Sequence, residues 1–263
     1  MAYLDVAYDI DNLPSLNFAN TCNVAVAFPG TDLPDCAFLA SDINACQAKG
    51  KIVTLSIAGA FSDVALASDS QAEQFADTIW NLFLGGSSTM RPFGDAILDG
   101  IDLDLEGGSE LYWPTFVNQI RSHTNGASKS YCITASPQCP FPDANLGSLI
   151  NAVGFNAVYV QFYNNYCGLQ AFNNPNDWNF AQWDNWAKTV SPNQDVKVYI
   201  GAAAGPQAAT TGYVDVDTLA SYAIQTREEF SSFGGVMLWD VSWAYENGNF
   251  AASLKSALST GDS

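Results

Sequence analysis

The regular alternation of short β-rich runs with helical stretches constrains this chain more than any other feature. Eight runs rich in branched and aromatic residues recur along it: Leu4–Tyr8, Asn23–Phe28, Ile52–Ile57, Gly100–Leu105, Tyr131–Ala135, Ala157–Phe162, Val196–Gly201 and Gly235–Trp239. Between most of them the apolar residues fall at helical spacing, as in Ser70–Phe83, Tyr112–His123 and Val216–Phe230. Strands separated by helices pair in parallel, because each helix returns the chain to the end where the next strand begins. The pattern predicts an α/β fold, with the sheet closed into a (β/α)8 TIM barrel. Spacing alone also allows an open doubly wound sheet, but no GxGxxG follows the first run, so a dinucleotide-binding version has little support. A length of 263 residues suits one such barrel, spanning 1–263 as a single domain. Gly and Pro cluster after the runs, in 137–142 and 201–206. In a barrel those loops build the rim that carries the site.

Charge narrows the partners. The chain has 27 acidic and 9 basic residues, a formal net charge of −18. Phosphate backbones are held by Lys and Arg, so nucleic acid is excluded, and anionic membrane surfaces with it. A neutral polymer such as a polysaccharide is compatible, and solubility accounts for most of the acidity. No apolar run approaches the roughly 18 residues that span a bilayer. Met1 leads directly into Ala-Tyr-Leu-Asp with no basic start, as in a mature chain. There is one histidine, His123, and no CxxC among six cysteines, so a zinc site or a His-based triad is not expected. Neither a metal nor another cofactor is called for. Cys139 and Cys167 follow successive apolar segments and are placed to bridge the adjoining loops, which implies an oxidising compartment. Cys132 lies inside an apolar run and reads as a buried thiol.

The chemistry concentrates in Asp99-Gly-Ile-Asp102-Leu-Asp104-Leu-Glu106. Side chains alternate faces along a strand, so Asp102, Asp104 and Glu106 share one face and Ile101, Leu103 and Leu105 the other. In a barrel the apolar set meets the helices and the carboxylates point inward, with Glu106 nearest the rim. Three crowded carboxylates are costly unless they share protons, and crowding of this kind favours a proton donor at neutral pH. A hydrated acidic edge strand and a Mg²⁺ or Ca²⁺ site on hard oxygen ligands are the competing readings.

This stretch is similar to the DxxDxDxE signature of family 18 glycoside hydrolases. The likeness extends to Tyr112-Trp113, to Ser136-Pro-Gln-Cys-Pro-Phe-Pro-Asp143, to Gln161-Phe-Tyr-Asn-Asn165 and to Gly234-Gly-Val-Met-Leu-Trp239, which resemble plant and fungal class III chitinases. The resemblance implies hydrolysis of β-1,4-linked N-acetylglucosamine polymers with retention, assisted by the substrate. It implies Glu106 as proton donor, Asp104 orienting the acetamido group, Asp102 sharing a proton with Asp104, and Tyr163 donating a hydrogen bond to the acetyl oxygen. Trp239 would floor the sugar site, with Gln161, Tyr8 and Asn164 also on the substrate. The implied protein is a secreted or vacuolar monomer whose partner is chitin or its oligosaccharides. The family's disulfide pattern suggests Cys139–Cys167 and Cys46 with Cys22, which leaves the partner of Cys36 open.

Three places depart from the pattern. Tyr8-Asp-Ile-Asp-Asn12 stands where relatives read close to YWGQN, and Ser56-Ile-Ala-Gly59 where they read SxGG. The loop from Pro29 to Cys36 is shorter than theirs. These departures touch the substrate-binding part of the cleft and leave the acid intact. Two other functions fit the same barrel: a non-catalytic carbohydrate-binding, storage or inhibitor protein, and an endo-β-N-acetylglucosaminidase acting on N-glycans.

Overall fold

The structure, a computed structural model, describes residues 3–6, 13–18, 21–60 and 64–259. The chain falls into two compact units, Met1–Thr134 and Ala135–Ser263. In the first unit the strands are β1 (Tyr3–Val6), β2 (Ser15–Asn17), β3 (Thr54–Ala58), β4 (Gly100–Asp104) and the start of β5 (Cys132–Ala135). They lie in the order β2-β1-β3-β4-β5. β1 runs antiparallel to β2 and parallel to β3, and β3 pairs with β4 without a break, from Thr54↔Gly100 to Ala58↔Asp104. Gly100 opens β4 at φ 152°, and a Cβ there would sit 1.8 Å from the Cys132 carbonyl oxygen, so only glycine lets β5 approach.

The helices of this unit are α1 (Ala40–Ala48), α2 (Asp69–Phe83) and α3 (Trp113–Thr124). Ala72, Phe75, Ala76, Ile79, Leu82 and Phe83 make one buried stripe on α2, at the spacing a helix needs. Ser68 caps α2 by accepting from the Gln71 N–H at 3.2 Å, while the Gln71 side chain reaches back to the Ala67 N–H at 2.6 Å. The stripe meets Trp113 and Phe116 of α3, with Phe75 ring centroids 6.3 and 5.2 Å away.

The expected strand at Asn23–Phe28 is absent. Val24–Val26 forms a 3-10 turn, capped by Asn23, whose side chain accepts from the Ala25 N–H at 3.0 Å. The two valines are 60% and 51% exposed. Two local effects override their β preference. The Asn23 side chain competes for the backbone, and the chain doubles back beyond Pro29, with the Phe28 N–H donating to Leu33 O at 2.9 Å. β1 therefore pairs directly with β3, and the additional strand is the antiparallel β2.

The second unit holds α4 (Gly147–Ala152), β6 (Ala157–Gln161), α5 (Phe180–Thr189), β7 (Lys197–Ala203), α6 (Val216–Glu229), β8 (Phe233–Trp239), α7 (Val241–Glu246) and α8 (Phe250–Ser259). β6, β7 and β8 are adjacent and parallel. Phe180, Trp183 and Trp186 bury one face of α5. Asp184 on the same helix accepts from the Ser232 N–H and Oγ at 3.2 and 2.7 Å, which ties α5 to the start of β8. Among the described residues, no helix is long and apolar enough to cross a membrane.

Candidate active site

β4 is buried along its whole length. Asp102 and Asp104 on β4 are each only 7% exposed, and Glu106 lies just past the strand end, half-buried. Ile101, Leu103 and Leu105 are buried. Asp102 is held by hydroxyls from both neighbouring strands. Ser56 Oγ donates to Oδ2 at 3.1 Å and Thr134 Oγ1 to Oδ1 at 2.6 Å. A buried carboxylate needs such donors, because burial without them costs several kcal/mol. Ser56 and Thr134 were not among the expected site residues. Ser56 was within reach of sequence reasoning, since it lies level with Asp102 in the β3–β4 register.

Asp99, the first aspartate of the motif, works at the other end of the strand. Its carboxylate accepts from Gln47 Nε2 at 2.9 Å and the Val53 N–H at 2.7 Å, and pairs with Lys129 Nζ at 2.8 Å. Burial pushes the Asp99 carboxyl up, but the Lys129 ammonium, the Val53 N–H and the Gln47 amide outweigh it and hold it below the usual carboxylate range. Asp99 thereby pins the start of β4, and with it the placement of Asp102, Asp104 and Glu106. Ala58 lies level with Asp104 and has φ 78°, a left-handed conformation that costs an alanine about 1 kcal/mol.

In the second unit, Gln161 lies level with Gly201 of β7, and Gly201 with Met237 of β8. Gln161 is 6% exposed; its Nε2 donates to Ser136 O at 3.0 Å and its N–H to Pro137 O at 2.8 Å. Tyr163, also 6% exposed, follows two residues beyond the last residue of β6. Trp239 ends β8 opposite Ala203 and is half-buried. The strands leading to Tyr163 and Trp239 flank β7, so those residues stand about 10 Å apart by strand spacing. The Trp239–Asp240 peptide is cis, and Asp240 caps α7 by accepting from Ser242 and Trp243 N–H at 2.8 and 3.1 Å. The Asn164 amide oxygen is turned toward the loop after β7, where it accepts from Thr210 N–H at 2.7 Å. Tyr8 lies outside the described residues. Among the described residues, no three His, Cys, Asp or Glu side chains are grouped to hold a metal ion.

Cys139 and Cys167 form the expected disulfide. The other bridge differs from expectation: Cys22 pairs with Cys36, and Cys46 is an exposed free thiol on α1. The short loop explains this. Its fold-back at Phe28–Leu33 and the Ala27↔Pro34 bridge bring Cys36 to Cys22, with Cα atoms 6.0 Å apart. Cys132 is a free thiol but half-buried rather than buried, and its burial pushes its pKa up.

The sequence profile described as glycosyl hydrolases family 18 matches residues 16–214. The chain belongs to this family. Its fold is the family's parallel α/β barrel: a solved structure described as ICChI chitinase from Ipomoea carnea aligns with TM-score 0.81 and 34% identity, over 97% of this chain and 88% of that one. Among curated relatives, this family 18 chain is 45% identical to a class III chitinase of Arthroderma benhamiae over 95% of its length and 79% of the relative's. It is 44% identical to Chitinase 2 of Rhizopus oligosporus over its whole length, but spans only 47% of that protein. The solved structure of the xylanase and alpha-amylase inhibitor protein XAIP-II from Scadoxus multiflorus is also similar, with 32% identity and TM-score 0.75 over 88% of this chain and 86% of that one.

Proposed function

We propose that this family 18 chain is a chitinase that hydrolyses β-1,4-linked N-acetylglucosamine polymers with retention of configuration. The observation that carries the reading is Asp102, Asp104 and Glu106 at alternate positions of one strand and its end, with Asp102 clamped by Ser56 and Thr134. The half-buried Glu106 donates its proton to the glycosidic oxygen as that bond breaks. The acetamido carbonyl oxygen of the same sugar attacks the anomeric carbon, giving an oxazolinium. Asp104 faces the acetamido N–H and stabilises the positive charge, while Asp102 shares a proton with Asp104. Tyr163 donates to the acetyl oxygen. Trp239 floors the sugar, and Gln161 contacts it. Glu106, now a carboxylate, takes a proton from water, which opens the oxazolinium and restores the β-configuration. These groups meet charge that develops only in the transition state, so they govern turnover more than binding. No cofactor enters the scheme.

The two disulfides suggest an oxidising compartment, and secretion or a vacuole fits it. The substrate is chitin or its oligosaccharides, acted on by a monomer. A second reading, a non-catalytic carbohydrate-binding, storage or inhibitor protein, is favoured by the likeness to XAIP-II and by Ala58 beside Asp104. Assay of N-acetylglucosamine oligomers beside a high-mannose glycopeptide separates the possibilities. The proposal predicts oligomer cleavage that Glu106→Gln reduces about 10²–10⁴-fold while oligomers still bind. Cleavage of the glycopeptide alone would make the chain an endo-β-N-acetylglucosaminidase. Equal binding by wild type and Glu106→Gln, with no cleavage by either, would establish the non-catalytic reading.

A further inference from the structure

We infer that Asn164 and Gly212 are positioning residues for Tyr163, holding its phenol by seating the loop after β7 against its backbone; the consequence for catalysis rests on the chitinase reading above. Asn164 follows Tyr163 directly and adopts φ 58°, a left-handed conformation that asparagine tolerates better than most residues. In that conformation its side chain points away from an extended path. Its Oδ1 accepts from the Thr210 N–H at 2.7 Å and the Thr211 N–H at 3.4 Å, and its own N–H donates to Thr211 O at 3.0 Å. Three hydrogen bonds therefore join residues 46 to 47 apart in sequence, at the position next to the tyrosine.

Gly212 continues the same loop and is buried, with φ 94°. A Cβ there would lie 2.7 Å from Tyr163 Cα, 2.9 Å from Phe162 O and 3.0 Å from Tyr163 Cβ. The loop thus rests on the Tyr163 backbone with no room for a methyl group. On the other side, the Phe162 N–H donates to Gly201 O at 3.0 Å and Phe162 O accepts from the Leu169 N–H at 2.8 Å. The residue before Tyr163 is fixed by β7 and the residue after it by the loop beyond β7. A hydroxyl that must meet a transition-state oxygen needs its backbone held to about 0.5 Å, and this arrangement supplies that restraint. Asn164, which its place in the motif puts on the substrate, acts through Tyr163 instead.

The two roles make different predictions, because Gly212 is buried against the Tyr163 backbone and a sugar contact by Asn164 alone would not depend on it. Gly212→Ala and Asn164→Ala should each lower kcat on oligomers about 10- to 100-fold, with much smaller changes in KM. A thiazoline mimic of the oxazolinium should lose affinity in parallel with kcat. Asn164→Asp keeps both the acceptor and the tolerance of positive φ, so it should recover most of the Asn164→Ala loss. If Gly212→Ala does not fold, Asn164→Gly keeps the backbone conformation, removes the acceptor and carries the same prediction. Normal kcat in Gly212→Ala beside a raised KM in Asn164→Ala would make Asn164 a direct sugar contact and overturn the inference. A crystal structure of Gly212→Ala, or of Asn164→Gly in its place, reads the seating without activity. Displacement of Tyr163 supports it even if the wild type cleaves no oligomer, in which case the chitinase reading alone fails. An unmoved Tyr163 overturns it.

Discussion

Asp102 keeps its place through two hydroxyls, and the shorter of the two bonds comes from Thr134 at 2.6 Å. Thr134→Val preserves shape and leaves a buried carboxylate oxygen short of a donor. It should cost about 1–3 kcal/mol in a denaturant titration and lower kcat as well. Unchanged stability would mean that another donor takes over. Ala58 is the reverse case, a side chain in a conformation that favours glycine. Ala58→Gly should raise stability by roughly 0.5–1 kcal/mol, seen as a higher denaturant midpoint; a lower midpoint would show that its buried methyl outweighs the strain. At this scale the strand carrying Asp102 and Asp104 was legible from its pattern, whereas the donors to Asp102 depend on the register of neighbouring strands. Cys36 escaped assignment for a similar reason: its pairing depends on how one short loop folds back.

Among the elements, strongly periodic helices were legible to within a residue or so. Ser70–Phe83 was expected where α2 spans Asp69–Phe83, and Val216–Phe230 where α6 spans Val216–Glu229. Asn23–Phe28 failed because two valines in a short run weigh less than a capping side chain and a following turn. Elements are also joined by depressed carboxylates. Burial raises the Asp184 carboxyl, but Lys188 and the Ser232 hydroxyl and N–H outweigh this and hold it below its ordinary value, as Lys129, Val53 and Gln47 do for Asp99. A carboxyl with a depressed folded pKa stabilises the fold above its unfolded pKa, about 3.9, and that stability is lost as pH falls through the lower folded value. Tm should therefore fall on acidification below about pH 4. Asp99→Asn should lower Tm at neutral pH and flatten that acid limb. An acid limb as steep as the wild type's would contradict the role given to Asp99.

For the molecule as a whole, two disulfides close stretches separated by 14 and 28 positions. Closures of that size stabilise by about 3–4 kcal/mol each in the chain-entropy picture. A non-reduced digest should yield Cys22 linked to Cys36 and Cys139 linked to Cys167, with Cys46 and Cys132 open to alkylation after unfolding. A Cys22–Cys46 peptide would restore the pairing that the resemblance alone suggested. The central step of the proposed function is neighbouring-group attack by the substrate's own acetamido oxygen, a reading supported by the carboxylate strand and by the chain's likeness to family 18 proteins. The anomeric configuration of the first product tests this most directly, read by NMR immediately after N-acetylglucosamine oligomers are cleaved. The account predicts the β-anomer, which then mutarotates. An initial α-anomer would mean that water attacks the anomeric carbon directly, and would contradict it even if Glu106 proved essential.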